Sequence, residues 1–280
     1  MSGSDMEKIN VQEVFKKKNP KVAQMLPGFI FRYIERIVHQ EEINEILSQY
    51  GNKTGLDFVN ALVEYFNMSI HIKGKENIPT EGRYIFAANH PLGGLDGMVL
   101  TYIVGQIHPT LQFLVNDLLM NLQNLEPIFL PVNKHGKQSV EYVKKIERTY
   151  ESDAQILNFP AGLCSRKIKK EIIDLEWKKS FITKAIQHKR DIVPVHINGR
   201  NSNFFYNLSN LRGKLGIKTN IEMFYLADEV FKQKNKDITL TFGKTIPYQT
   251  FDKKIHPREW AKQVKDYVYS LANGNTKPFK

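Results

Sequence analysis

The chain of 280 residues contains one cysteine, and it lacks any apolar run of the roughly 18–20 residues that cross a bilayer. A single cysteine forms no internal disulfide, which excludes a secreted disulfide scaffold and favours a reducing compartment. The first residues also lack the basic and then apolar order of a signal peptide. These absences predict a cytoplasmic protein whose contact with a membrane is peripheral.

The composition shows no bias towards fibrous or disordered proteins. Hydrophobic residues make up 41% of the chain and charged residues 25%, as in an ordinary globular protein. These proportions exclude a collagen, a coiled-coil rod and a disordered tail protein. The length fits one large α/β domain or two smaller ones, and it is sufficient for a sizeable core.

Basic side chains outnumber acidic ones, with 40 lysines and arginines against 29 aspartates and glutamates. The excess is concentrated between residues 130 and 190, where 14 basic residues accompany seven acidic ones. Three kinds of partner fit this charge: a nucleic acid, an anionic membrane surface, or an acidic carrier protein or phosphate-bearing substrate. The alternative is that these lysines are solvated and bind no partner.

Residues 1–68 are predicted to be helical. Apolar residues recur at helical spacing within 21–39, where Pro27 and Gly28 are expected to break or start the main helix. Basic residues flank this face, so it fits either a membrane interface or the core, and spacing alone favours the core. Further helices are predicted at 41–49 and 55–67. The apolar residues of the first stretch are Val22, Met25, Leu26, Phe29, Ile30, Ile34, Ile37 and Val38, and the basic ones are Lys21, Arg32, Arg36 and His39.

From residue 69 onwards, short β-rich runs alternate with helical segments. The predicted strands are 69–72, 84–88, 112–115, 128–132, 155–159, 192–197 and 238–242. The predicted helices are 96–106, 137–150, 178–189, 204–214, 221–232 and 257–272. Such alternation predicts an α/β fold with a mixed, largely parallel sheet flanked by helices. We expect a helical segment over 1–68, for which membrane contact remains the alternative to burial, and one α/β domain over 69–280.

One segment, Tyr84-Ile-Phe-Ala-Ala-Asn-His-Pro-Leu-Gly-Gly-Leu-Asp-Gly-Met, carries the most chemical information. An apolar strand runs into His90, a loop with two glycines follows, and Asp96 lies where the next helix should begin. The carboxylate can accept a hydrogen bond from one imidazole nitrogen and leave the other free as a base. Because the loop has no serine or cysteine, the pair suits activation of a hydroxyl or amine on a bound substrate. The alternatives are that Asp96 is a helix cap and that His90 is bonded to backbone groups.

Basic residues follow two other predicted strand ends. The run Leu157-Asn-Phe-Pro-Ala-Gly-Leu-Cys-Ser-Arg leads from a strand to Arg166, and Lys134 follows the strand at 128–132. The carboxyl ends of parallel strands gather at one edge of a sheet, so His90, Lys134 and Arg166 are expected to meet in one cleft. There, Arg166 and Lys134 would hold an anionic headgroup or phosphates. The alternative is that both are solvated surface residues.

An ordered set of short blocks resembles the lysophospholipid and glycerol-phosphate acyltransferase superfamily, and within it the bacterial hemolysin-like branch. Members of that branch include O-acyltransferases of lysophosphatidate and of amino-acid-containing lipids. The resemblance covers about residues 70–245. The blocks are Asn89-His-Pro-Leu-Gly-Gly-Leu-Asp96, Phe113-Leu-Val-Asn116-Asp117 with Leu130-Pro-Val-Asn133-Lys134, Phe159-Pro-Ala-Gly162, Ile192-Val-Pro-Val195, and Gly199-Arg-Asn-Ser202.

The resemblance implies an O-acyltransferase of membrane lipid synthesis. It would move an acyl chain from the thioester of acyl carrier protein or coenzyme A to the hydroxyl of a lysophosphatidate-like lipid or monoacyl amino-acid lipid. His90 would act as general base with Asp96, no metal or further cofactor would be needed, and Gly93 or Gly94 would offer an amide to the oxyanion. The enzyme would lie peripherally on the cytoplasmic face of the inner membrane. The implied substrate-binding residues are Asn89, Gly93, Gly94, Asn133, Lys134, Gly162 and Arg166.

The sequence differs from the family in two places, and two other functions remain open. Five residues separate His90 from Asp96 where the family commonly has four, and Ala161 occupies the usual position of a glutamate. A thioesterase or hydrolase could instead use Cys164 with a histidine. A basic membrane- or nucleic-acid-binding protein without enzymatic activity is the other alternative, although the sequence has no zinc spacing or nucleic-acid motif.

Overall fold

The computed structural model describes residues 8–18, 20–115, 122–132, 140–218 and 220–280. Its β-rich runs form strands in or near the places that the sequence predicts. In chain order, the strands are β1 (Ser69–Lys73), β2 (Tyr84–Ala88), β3 (Leu111–Val115), β4 (Phe129–Pro131), β5 (Gln155–Asn158), β6 (Arg166–Ile168), β7 (Glu171–Ile173), β8 (Asp191–Asn198) and β9 (Asp237–Phe242).

Seven of these strands form one sheet in the order β1-β9-β8-β2-β5-β3-β4. All neighbours in it are parallel except β8 and β9, which pair in antiparallel fashion. The prediction of a mixed, largely parallel sheet is therefore confirmed. The remaining two strands, β6 and β7, form a separate antiparallel hairpin.

Helices cover both faces of the sheet, as the alternating sequence pattern predicts. In chain order, they are α1 (Val11–Lys18), α2 (Pro20–Met25), α3 (Gly28–Ile37), α4 (Gln40–Tyr50), α5 (Gly55–Phe66), α6 (Leu95–Gly105), α7 (Val140–Glu151), α8 (Ser180–His188), α9 (Asn203–Lys214), α10 (Leu226–Phe231) and α11 (Pro257–Leu271). No helix in the described ranges is both long enough and apolar enough to span a membrane.

Strand β2 shows how the two cores are divided. Successive side chains of a strand point to opposite faces, so a strand covered on both sides must be apolar throughout. Phe86 and Ala88 pack into the core on the side of α5 and α6. Ile85 and Ala87 pack into the other core, which contains side chains of α8 and α11.

The helices before residue 69 pack on the α/β part, among other places, through α5 and through His39. Val59 and Phe66 of α5 belong to the same core as β2 and α6. His39 stacks on Phe231 with 4.3 Å between ring centroids, and its Nε2 lies 3.1 Å from Oδ1 of Asp228 in α10. Thus His39 joins the N-terminal helices to α10.

The structure differs from the predicted elements in a few places. It adds the hairpin of β6 and β7, which no sequence pattern predicted. It also gives bounds to α1, which lies within the region predicted to be helical. It also divides the helix predicted at 221–232 into a 3₁₀ turn (Ile221–Tyr225) and α10. The predicted break at Pro27 and Gly28 is confirmed because α2 ends at Met25 and α3 begins at Gly28. Residues 133–139, the side chains at 21–23, and the block residues Asn116 and Asp117 lie outside the description.

Candidate active site

The parallel strands of the sheet end around a cavity of about 350 Å³. Its walls include Val115 at the end of β3, Val132 just after β4, Asn158 at the end of β5 and His90 two residues after β2. The carboxyl edge of such a sheet is where α/β proteins usually bind ligands. The cavity therefore occupies the position that the sequence predicts for the active site.

Most of the cavity wall is apolar. One side is formed by α5 and α6, and the opposite side by the ends of β3, β4 and β5. A partly open space with an apolar lining suits a hydrocarbon chain better than a polar metabolite. The apolar lining residues are Val59, Leu62, Phe66, Leu95, Met98, Phe113, Leu114, Val115, Leu122, Leu125, Ile128, Phe129, Val132, Phe159 and Val230.

His90 and Asp96 are in direct contact at this cavity. Nδ1 of His90 lies 3.0 Å from Oδ2 of Asp96, and the side chains are 14% and 0% exposed. With Nδ1 engaged by the carboxylate, the ring carries its hydrogen there and Nε2 has its lone pair available. Nε2 has no hydrogen-bond partner among the described residues. The pair has the arrangement of a general base and its orienting carboxylate.

Asp96 is held by backbone amides as well as by the imidazole. Its Oδ2 accepts hydrogen bonds from the N–H of Leu92 at 2.8 Å and of Gly93 at 3.3 Å, and its Oδ1 accepts one from Gly97 at 2.9 Å. Asp96 is also in the first turn of α6, where the helix dipole stabilises a negative charge. The carboxylate is thus fixed in a position where it can stabilise an imidazolium.

The ring of His90 stacks on Phe159, which follows β5. Their centroids are 4.1 Å apart and the ring planes differ by 18°. Phe159 in turn meets Phe113 edge-on, with centroids 5.3 Å apart. The stacking places one face of the imidazole against the apolar wall, so the ring is oriented from two sides.

Both backbone polar groups of His90 form hydrogen bonds with the segment after β5. Its N–H donates to Oδ1 of Asp174 at 3.2 Å, and its C=O accepts from the N–H of Ser165 at 2.7 Å. The hydroxyl of Ser165 donates to the same Oδ1 at 2.6 Å, and the indole N–H of Trp177 donates to Oδ2 at 2.8 Å. Asp174 and Ser165 are positioning residues that the sequence did not reveal, because no local pattern links them to His90.

The two glycines of the loop have different roles in its geometry. Gly93 has a φ of 87°, and a Cβ there would lie 2.7 Å from Cδ1 of Leu226, so a larger residue would be both strained and crowded. Its N–H is directed to Asp96. The N–H of Gly94 has no partner among the described residues, and Gly93, Gly94 and Gly162 all line the cavity.

Two of the predicted substrate-binding residues lie away from the cavity wall. Asn89 is buried, and its amide exchanges hydrogen bonds with the backbone of Ile197, which ties the end of β2 to β8. Arg166 begins β6 and is also buried, with Nη2 3.0 Å from Oε1 of Glu222 and Nη1 2.8 Å from the carbonyl of Cys164. The sequence predicted a ligand-binding cation just after a strand. In the structure, β5 already ends at Asn158, and the guanidinium of Arg166 is paired with Glu222.

Asn133, Lys134 and Cys164 are the other candidate residues from the sequence. Asn133 and Lys134 lie outside the described residues. Cys164 is buried, and burial raises the pKa of its thiol, which is the reverse of the shift that activates a nucleophilic cysteine. Within the described ranges, no three side chains of the metal-binding types come together.

The chain is similar to proteins of known class over almost its whole length. A sequence profile described as "Acyltransferase" matches residues 13–276. The lyso-glycine lipid O-acyltransferase of Bacteroides thetaiotaomicron is 51% identical over 272 residues, covering 97% of this chain and 100% of that protein. The protein of the same name from Phocaeicola vulgatus is 50% identical over 264 residues, covering 94% and 95%. The crystal structure of the 1-acyl-sn-glycerophosphate acyltransferase PlsC from Thermotoga maritima covers 89% of this chain and 95% of its own, with 16% identity and a TM-score of 0.49.

The profile match and the two relatives agree with the resemblance found in the sequence blocks, which is thereby confirmed. Both relatives align with more than nine tenths of this chain. The chain belongs to the acyltransferase family, and it is an acyltransferase.

Proposed function

We propose that this enzyme transfers an acyl chain from an acyl thioester to the hydroxyl of a lyso-glycine lipid. The observation that carries the proposal is the position of His90, whose Nε2 is open beside an apolar cavity while Nδ1 is held by Asp96. The names of the two relatives supply the acceptor, at 51% and 50% identity. A monoacyl amino-acid lipid is one of the two acceptors that the sequence resemblance implied.

The chemistry follows from the open nitrogen. Nε2 of His90 removes the proton from the acceptor hydroxyl, and the oxygen attacks the thioester carbonyl carbon. Asp96 stabilises the imidazolium that forms. When the tetrahedral intermediate collapses, the C–S bond breaks, and the leaving thiolate takes the proton from His90 to become a thiol. No covalent acyl-enzyme is required, which fits a buried Cys164 and a loop without serine.

The oxyanion of the intermediate needs a donor near the reacting carbon. Of the two loop glycines, Gly93 already directs its N–H to Asp96. Gly94 lines the cavity with its N–H unused by other described residues. We assign the donor role to Gly94, and one such donor contributes on the order of 3 kcal/mol to transition-state stabilisation.

The apolar cavity is proposed to hold an acyl chain of one of the substrates. The donor is the thioester of acyl carrier protein or coenzyme A, both of which are acidic and complement the net charge of +11. No resident cofactor or metal takes part in this scheme.

The enzyme is also proposed to lie peripherally on the cytoplasmic face of the inner membrane, where its acceptor resides. A docking face formed by α3, α9 and the turn at Ile221–Tyr225 supports this. The hydroxyls of Tyr33 and Tyr225 are 2.7 Å apart, and Phe204 meets Tyr225 edge-on at 4.9 Å, so the three elements are adjacent. The exposed apolar residues of these three elements are Phe29, Tyr33, Phe204, Leu211 and Phe224.

Charge and position suit this docking face to an anionic lipid surface. Exposed basic residues of the same elements accompany the apolar ones: Arg32 and Arg36 in α3, and Lys214 in α9. Exposed aromatic and leucine side chains with basic neighbours are the composition of an interfacial membrane site. Helix α10 directly follows the turn of this face, and its Val230 lines the cavity that contains His90.

The experiment that tests the function offers labelled acyl thioesters of acyl carrier protein and of coenzyme A with a panel of lysolipids. The panel contains lyso-glycine lipid, lysophosphatidate and a monoacyl lipid without an amino acid. Mass spectrometry of the products should show acylation of lyso-glycine lipid at its hydroxyl in preference to the others. Acylation of lysophosphatidate alone, or hydrolysis of the thioester without transfer, would contradict the proposal.

A further inference from the structure

Lys178 is an exposed cation in the wall of the active-site cavity. Among the described residues that line the cavity, it is the only lysine, arginine, aspartate or glutamate. It shares the wall with His90, Pro160 and Gly162. A single charge in the wall of a mostly apolar cavity is the kind of group that orients a ligand there.

The backbone of Lys178 is anchored close to His90. Its N–H donates to the carbonyl of Pro160 at 3.0 Å, and Pro160 follows Phe159, on which the His90 ring stacks. The preceding residue, Trp177, is buried and donates to Asp174. Lys178 therefore lines the cavity from a backbone that is bonded to the segment beside His90.

The charge of Lys178 is available in the folded protein. Its ammonium forms no ion pair or hydrogen bond with any described residue. The nearby Lys184 differs, because it pairs with Glu147, and so does Arg166, because it pairs with Glu222. Lys179 is also exposed but does not line the cavity, so it offers a matched control at the next position.

We propose that Lys178 binds a carboxylate or phosphate group of a substrate at the cavity wall. It would thus take the role that the sequence suggested for Arg166. The inference rests on the proposed function. A glycine joined to a lipid through its nitrogen keeps a carboxylate, and the phosphopantetheine arm of the donor carries a phosphate. Either group can accept a charge-assisted hydrogen bond from the ammonium while the reacting atoms lie at His90.

The first test compares steady-state kinetics of the wild-type enzyme, Lys178→Gln, Lys178→Arg and Lys179→Gln. Lys178→Gln should raise KM for one substrate about ten-fold or more with a smaller change in kcat, since a charge-assisted hydrogen bond is lost. Lys178→Arg keeps the charge and should remain within about three-fold of wild type, and Lys179→Gln should equal wild type.

Neutral substrate analogues identify the anion. The methyl ester of the lyso-glycine lipid removes the acceptor carboxylate, and an acyl-pantetheine donor removes the phosphate. With the analogue that lacks the bound anion, the wild-type enzyme and Lys178→Gln should have the same raised KM. The interaction is already absent with this analogue, so removal of Lys178 has no further effect. The other analogue should still distinguish the two enzymes.

Failure of this inference is distinct from failure of the proposed function. If the wild-type enzyme transfers acyl chains and Lys178→Gln has unchanged KM values for both substrates, Lys178 binds no anion. If KM rises equally in Lys179→Gln, the effect is one of general surface charge and the assignment is also wrong. Absence of transfer by the wild-type enzyme would instead contradict the function on which the inference rests.

Discussion

Burying a carboxylate is costly unless cations accompany it, and Glu222 is a fully buried carboxylate between two arginines. Its Oε1 lies 3.0 Å from Nη2 of Arg166, and its Oε2 lies 2.9 Å from Nε of Arg212. These pairs join β6, α9 and the turn at Ile221–Tyr225. The guanidinium of Arg166 is therefore committed to holding this part of the fold together.

We predict that Arg166→Ala acts on stability and leaves substrate binding unchanged. Removal of one partner from a buried ion pair leaves an uncompensated charge, which should lower the free energy of unfolding by about 3 kcal/mol. Urea denaturation measures this loss, with the exposed Lys170→Ala as a control expected within about 0.5 kcal/mol of wild type. An Arg166→Ala enzyme with wild-type stability and a raised KM would restore Arg166 to the substrate site.

At the residue scale, the sequence could predict His90 and Asp96 because both lie in one short loop whose spacing places them face to face. The contacts with Phe159, Ser165 and Asp174 come from a segment about 70 to 85 residues away, and only the folded sheet brings them to His90. The expectation that Arg166 lies in the substrate site differs from the structure for a similar reason. A basic residue soon after a strand fits a ligand site or an ion pair equally well, and its partner is 56 residues distant.

Strand β8 carries a buried histidine that couples the stability of this element to pH. Burial lowers the pKa of His196 to about 4, and its ring contacts Tyr269 of α11 edge-on at 5.8 Å. In the unfolded chain a histidine titrates at about 6.5. Between pH 4 and pH 6.5, His196 is therefore protonated in the unfolded state and uncharged in the folded state.

This coupling predicts a loss of stability as the pH falls from 6.5 towards 4, because the stability present at neutral pH requires an uncharged His196. Between pH 7 and pH 5, the wild-type protein should lose about 2 kcal/mol more unfolding free energy than His196→Gln, which has no such group to protonate. Urea titrations at the two pH values give the difference directly. Equal losses in both proteins would show that His196 accepts its proton without unfolding.

At the element scale, strands and helices with a strong pattern could be predicted, and short ones could not. The strand β2 reads as a continuous apolar run since both of its faces are buried. The strands β6 and β7 have three residues each and join at Lys169 and Lys170, so their sequence resembles a basic loop. The helix α1 is short and contains three consecutive lysines, so the sequence indicated a helical region there without the bounds of this helix.

For the molecule as a whole, the docking face makes a prediction about membrane binding. Phe29 is 60% exposed and Phe224 is 64% exposed, although they are almost 200 residues apart in the chain. The double variant Phe29→Glu with Phe224→Glu should reduce cosedimentation with anionic vesicles about ten-fold or more. Two apolar side chains that would insert into the lipid are replaced by charges that anionic lipid repels. High salt should weaken the wild-type interaction in the same assay.

The control for this prediction is Ile186→Glu in α8, which places a glutamate at an exposed apolar residue of another face. It should bind vesicles as the wild-type protein does. Equal binding by all three folded proteins would show that another surface meets the membrane. The sequence had indicated the α3 part of this face and had favoured its burial in the core. The contribution of α9 and Phe224 needed the tertiary structure.

The central claim is that His90, oriented by Asp96, is the base of an O-acyl transfer, and a comparison of two histidine–aspartate pairs tests it most directly. His71 and Asp237 form a second pair at 3.6 Å, exposed on β1 and β9 and outside the cavity wall. Transfer of labelled acyl chains to lyso-glycine lipid should fall at least about 10²-fold in His90→Ala and remain at the wild-type rate in His71→Ala, with both variants folded. If folded His90→Ala retains more than a few per cent of the wild-type rate, the mechanism is wrong.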